Sequence, residues 1–200
     1  MFNTIIIIKF LQGSNTFYYK DNLRSVSARK ELLMTDVREQ EVFVETAYAE
    51  YGSALEMLAA CKLAEKSSHA YGYFEHAKDE YNHTKIFLEL LAKRSLTLPT
   101  KLAKKFRFNQ AGLVAKGYVS KDGYLIERMN TKDFVAYVYT NELLAKESFS
   151  KILKLVGFDS EDGKKISLIM KDELRHHGMA KEYFLKYFPK LQPWQLLFYQ

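Results

Sequence analysis

"KDEYNH" (residues 78–83) and "KDELRH" (residues 171–176) carry the same Lys-Asp-Glu-x-x-His spacing at two places 93 residues apart. The chain has only five histidines among 200 residues. Asp-Glu-x-x-His is expected roughly 0.02 times in a random chain of this composition, so a duplicate is not a chance event. In a helix, residues at i and i+3 leave the same face, so Glu80 points with His83 and Glu173 points with His176. A hard carboxylate beside an imidazole suits iron or manganese better than calcium or magnesium. Two such pairs imply two metal ions.

Reading outward, each motif falls within a long stretch of helical periodicity. The spacing predicts four helices, over about 37–66, 68–94, 131–155 and 161–187. Asp36, with Glu39 three residues on, marks the first start; Ser67 or Ser68 caps the second, and Ser160 the fourth. Between the second and third helices, residues 95–130 hold Pro99, a basic run (Lys101, Lys104, Lys105, Arg107) and "GYVSKDGYLIE". That last stretch predicts a small β-hairpin turning at Asp122-Gly123. Residues 1–34 form a lead-in of undefined structure, and "LQPWQLLFYQ" (191–200) is expected to pack back on the helices. The whole reads as one all-α domain over residues 1–200, two helical hairpins joined by a long crossover.

A two-metal site needs more carboxylates, to bridge the ions and balance their charge. In a ferritin-like four-helix bundle, one further Glu comes from each of the two remaining helices. Hairpin symmetry places each about as far before its turn as the motif lies after it. Glu142 precedes Asp172 by 29 intervening residues and Glu50 precedes Asp79 by 28. Glu45 and Glu56 sit about 120–140° around the helix from Glu50, so only one of the three points inward; Glu45 is the alternative. The expected ligands are therefore Glu50, Glu80, His83, Glu142, Glu173 and His176. A metal-bound imidazole usually donates its other N–H to a carboxylate, and Asp79 and Asp172 are expected to serve the opposite motif's histidine, His176 and His83 respectively. His76, one turn before Glu80, lies near the site face and is expected beside the site or at the surface, with an extra ligand the alternative. Tyr139, one turn from Glu142, is expected to be a packed core residue, with a redox or proton-transfer group the alternative. Ala47, Ala54 and Ala145 leave room near the metals for O₂ and an apolar substrate group.

Glu142 followed at this interval by "DELRH" resembles the Asp/Glu…Asp-Glu-x-Arg-His signature of di-iron carboxylate oxygenases, the bacterial multicomponent monooxygenases and the ribonucleotide reductase small subunit. "KDEYNH" is similar to the second metal motif of the cyanobacterial aldehyde-deformylating oxygenases. The resemblance covers residues 38–92 and 132–185. It implies a ferritin-like fold, two iron ions cycling between Fe²⁺ and Fe³⁺ (manganese is the alternative), and oxidation of a small or lipid-like substrate by O₂. Ferritins and rubrerythrins share Glu-x-x-His but usually lack the preceding Asp. They also have a shorter link than the 61 residues between Glu80 and Glu142. Iron storage or peroxide scavenging is thus the lesser alternative.

Composition narrows the remainder. One cysteine, Cys61, allows no internal disulfide and no Cys-x-x-Cys centre, including the cysteine-ligated iron of rubrerythrins. The apolar run near the N-terminus is broken by Lys9 and followed by no small-x-small cleavage site, so no signal peptide is expected. No stretch reaches the roughly 18–20 apolar residues of a membrane span, and a cytoplasmic protein, monomer or homodimer, is expected. No dinucleotide fingerprint is present, so electrons must come from an external donor. The net charge of +6 suits an acidic one such as a ferredoxin. The same charge and the basic crossover keep a tRNA-modifying di-iron hydroxylase as a second reading, to be tested by salt-dependent tRNA binding.

Overall fold

In the computed structural model, residues 28–96, 98–105, 108, 109, 112, 113, 115 and 123–189 are described. All regular structure among them is helical: α1 (Ala28–Leu63), α2 (Ser67–Ser95), α3 (Thr100–Lys105), α4 (Leu125–Arg128), α5 (Thr131–Val156) and α6 (Glu161–Tyr187). The long helices pack as two hairpins, α1 along α2 and α5 along α6, and the hairpins meet through α2 with α6 and α1 with α5. No helix among the described residues is long and apolar enough to cross a membrane.

Each long helix buries one stripe at three- and four-residue steps, the spacing that keeps side chains on one face. On α1 the stripe is Phe43, Ala47, Glu50, Ala54 and Met57; on α6 it is Ile166, Ile169, Glu173, His176 and Ala180. Midway along each stripe the apolar residue is replaced by a Glu or a His. The core is accordingly layered. Phe43, Phe87, Phe149 and Ile166 belong to an apolar cluster at one end. Met57, Tyr73, Val138 and Phe184 belong to another cluster at the other end. The polar residues lie between them.

The helix ends follow local chemistry. Ser160 caps α6, its hydroxyl accepting the Gly163 N–H at 2.8 Å, and Asn130 caps α5 by accepting from Asp133 N–H at 2.9 Å. Gly157 closes α5 at φ 86°, a conformation that only glycine adopts freely. A side chain at Gly163 would collide with the Gly157 carbonyl, so the short turn requires that residue too. Arg94 fastens the end of α2 to both neighbours: it bonds Asp162 on α6 at 2.7 Å and Glu39 on α1, and lies 4.5 Å over the Phe43 ring.

Three expectations are corrected. First, α1 begins at Ala28 rather than near residue 37 and ends at Leu63 rather than Lys66. Asp36 is interior, because Ala28 to Met34 are mostly strong helix formers and carry the helix past a cap-like residue. Second, Lys66 rather than a serine is the N-cap of α2, with no side-chain capping bond. Third, Leu125–Arg128 forms a helical turn where a strand was expected. Its free N–H groups are taken by carboxylates, Tyr124 N–H by Glu127 and Leu125 N–H by Glu56, both at 2.8 Å, so no strand partner is required. The other half of that expected hairpin, the lead-in 1–27 and the tail 191–200 lie outside the described residues. Of the basic run, Lys101 and Lys104 are exposed on α3, while Arg107 lies outside the described residues.

Glu56 gives a stability prediction. Burial pushes its carboxyl from 4.5 up to about 7. A folded pKa raised above the unfolded value means stability that is complete below pH 4.5 and is lost as pH rises through about 7. Glu56→Gln keeps an acceptor for the Leu125 N–H and removes that loss. Relative to this variant, the wild type should weaken by about 2 kcal/mol between pH 5 and pH 8. Urea denaturation at both values checks this, and an unchanged difference would contradict it.

Candidate metal centre

The layer between the two apolar clusters gathers Glu50 from α1, His76, Glu80 and His83 from α2, Glu142 from α5, and Glu173 and His176 from α6. None is more than 8% exposed. They resolve into two groups that could each hold an ion: His76, Glu80, Glu142 and His176, and Glu50, Glu80, His83 and Glu173. Glu80 belongs to both. Its Oε1 lies 2.9 Å from His76 Nε2 and 3.4 Å from His176 Nδ1, while its Oε2 faces His83 Nδ1 at 3.9 Å. His83 Nδ1 is also 3.1 Å from Glu50 Oε2 and 3.2 Å from Glu173 Oε1. Glu142 reaches the first group at 3.2 Å from His76 Nε2 and 4.0 Å from His176 Nδ1.

Behind the histidines lies a second set of contacts. His83 Nε2 is 3.2 Å from Asp172 and His176 Nε2 is 3.2 Å from Asp79. Each Asp thus meets the histidine of the opposite motif and holds that ring with Nδ1 aimed at the cluster. Arg175 spans both, one guanidinium nitrogen on Asp172 at 2.9 Å and another on Asp79.

Four glutamates in this small volume would carry four negative charges, and uncompensated burial of that charge is far too costly. In the metal-free protein, protons meet the need. Burial and the nearby Glu80 push Glu50 well up and Glu173 up to about 7. Burial also opposes ionisation of Glu80, but the His176 and His76 imidazoles beside it outweigh that and hold the carboxyl well below the usual range. His83 loses charge stability to burial, yet its Glu173 and Glu50 partners raise it to about 11. His76 moves up likewise: burial opposes its charge, and Glu142 and Glu80 overcome that. Two dications would balance the four carboxylates in full.

The arrangement fits metal on two further observations. Glu142 Oε2, Glu173 Oε1 and His176 Nδ1 are buried without a hydrogen bond. For Glu173 this holds despite the nearby His83 Nδ1, because a single ring nitrogen makes one hydrogen bond and Glu50 receives it. These atoms are donors left facing the middle of the cluster. Moreover, donors about 2.1 Å from a common ion at 90–109° to one another stand about 3.0–3.4 Å apart. Several separations here, 2.9, 3.2 and 3.4 Å around His76 and His176 and 3.1 and 3.2 Å around His83, are of that size.

All six expected ligands and both expected aspartates are thus brought to one place. The alternatives to Glu50 are not: Glu56 is engaged with Leu125, and Glu45 is half-buried outside both groups. His76, expected beside the site or at the surface with an extra ligand the alternative, is buried within it. The signal was its position four residues before Glu80 on the same face. The Arg175 bridge was also missed, although its spacing of three from Asp172 allows the contact. Tyr139 is not brought to the cluster: its ring stacks on Phe184 at 4.9 Å and His177 at 5.4 Å in the apolar layer, a packing role. Ala47 and Ala54 are fully buried on α1, on either side of Glu50, and Ala145 is half-buried against the apolar layer of Phe43 and Phe149. Comparison with protein-family models, with curated proteins and with solved structures finds no match.

Proposed function

We propose that the protein is a ferritin-like di-iron oxidoreductase that activates O₂ and oxidises a small or lipid-like molecule in the cytoplasm, with electrons from an acidic donor such as a ferredoxin. The observation that carries this reading is the pair of buried His/carboxylate groups sharing Glu80. Glu50, Glu80 and His83 with Glu173 would hold one ion, and Glu142, Glu80 and His176 the other. A ferrous pair, when bound, supplies the electrons that reduce O₂ and a strong oxidant for the substrate. The chain's own part is preorganisation. Asp79 and Asp172 orient two imidazoles, and Arg175 holds the two aspartates relative to each other. The flanking apolar layers exclude water, and the small side chains of Ala47 and Ala54 limit crowding near Glu50. The excess of Lys and Arg over acidic residues suits an acidic electron donor.

Anaerobic loading with Fe²⁺ should give about two irons per chain, and mixing with air should consume O₂ and oxidise the iron. Binding of two irons without O₂ consumption would refute the oxygenase reading. Failure to bind either iron or manganese would refute the metal centre itself.

A further inference from the structure

We propose that His76 is a metal ligand and makes the two ion positions chemically unequal, one nitrogen-rich and selective for iron, the other oxygen-rich and tolerant of manganese. This rests on the reading of the cluster as a metal site. Duplicated motifs alone would make a near-symmetric pair, each ion with one histidine. The structure departs from that symmetry at one place.

His76 is 1% exposed, and its Nε2 lies 2.9 Å from Glu80 and 3.2 Å from Glu142. Its ring stacks on that of His176 with centroids 3.9 Å apart and planes 29° from parallel, so two imidazoles serve the same point. The far nitrogen, Nδ1, is buried and has no hydrogen-bond partner. His83 and His176 each have an aspartate in the corresponding place; His76 does not. With a proton on Nδ1, its Nε2 lone pair is directed between Glu80 and Glu142. The second position has no equivalent residue: its donors are Glu50, Glu80, Glu173 and the single nitrogen of His83.

One position therefore offers two nitrogens and two carboxylates, the other one nitrogen and three carboxylates. Affinity rises from Mn²⁺ to Fe²⁺ along the divalent series, and imidazole discriminates between them more than carboxylate oxygen does, which suits manganese well. Supplied with both ions, the protein should place iron between His76 and His176 and tolerate manganese beside Glu50.

The test is to load the full chain without oxygen using equal, excess Fe²⁺ and Mn²⁺, and to measure anomalous scattering from crystals on either side of the iron and manganese absorption edges. The Fe:Mn ratio at the His76 position should exceed that at the Glu50 position by about tenfold. In His76→Ala and in His76→Gln, the latter of similar size, two ions should remain bound and the ratios should converge to within about twofold. Equal ratios at the two positions of the wild type would overturn the inequality and leave the two-metal reading standing, whether or not either variant folds. A wild type that binds neither metal would overturn both. Ratios that stay unequal in both variants would remove His76 as the cause.

Discussion

Replacing Glu80 by alanine is expected to empty both metal positions together, whereas Glu50→Ala or Glu142→Ala is expected to empty only one. Glu80 belongs to both groups and presents one oxygen to each, Oε1 toward His76 and His176 and Oε2 toward His83. Its loss removes a negative ligand from each ion and also the charge that lets the two cations lie close together. Even residues that only orient a ligand typically change metal affinity by 10–100-fold, so loss of a shared ligand should weaken both sites by at least about 100-fold. At micromolar metal, elemental analysis should fall from about two ions per chain to nearly none in Glu80→Ala, and to about one in the single-position variants. Glu80→Gln, which keeps the shape and loses the charge, separates a packing effect from a charge effect. A Glu80→Ala protein that keeps one ion tightly would contradict the shared role.

Metal loading should also raise the melting temperature strongly, and more so at higher pH. An ion at 100 times its dissociation constant stabilises the fold by about 2.7 kcal/mol, so two contribute about 5 kcal/mol. For a chain of this size that is a rise of roughly 10–20 °C. The pH dependence follows from the protons that metal must displace. His83, at about 11, carries one throughout the working range; Glu173, at about 7, carries another only below that value. The folded pKa of Glu173 is raised, so its contribution to the metal-free fold is complete below pH 4.5 and is lost as pH rises through about 7. The metal-free protein therefore weakens toward pH 8 while the loaded protein gains ligand affinity. Melting curves with and without Mn²⁺ should diverge between pH 6 and pH 8. A constant gap across that range would show that binding displaces no Glu173 proton.

The metal layer was legible because its residues interrupt otherwise apolar helical stripes at regular intervals. The repeated Asp-Glu-x-x-His and the matched distances of Glu50 and Glu142 are properties of helix geometry and hairpin length, and both can be counted in one dimension. His76 was harder. A single histidine one turn from a motif has the same spacing whether it faces inward or to the side, and the rotation of α2 that decides this is set by packing against α1 and α6. Arg175 could not be assigned because its two aspartates come from different helices. The crossover was least legible: Asp122-Gly123 reads as a hairpin turn, while the helical turn Leu125–Arg128 that follows is tied to Glu56, 69 residues earlier in the chain. The start of α1 was misplaced for a local reason, since a capping pattern at Asp36 does not end a run of strong helix formers.

The layered core also separates two events in the life of the protein. The apolar clusters flank the centre at either end, and on the metal reading proposed above exchangeable hydrogens would occupy that centre as placeholders until cations replace them. On that reading, assembly of the chain would not need to wait for its ions. Maturation would then be an ion-for-hydrogen swap inside an already finished scaffold.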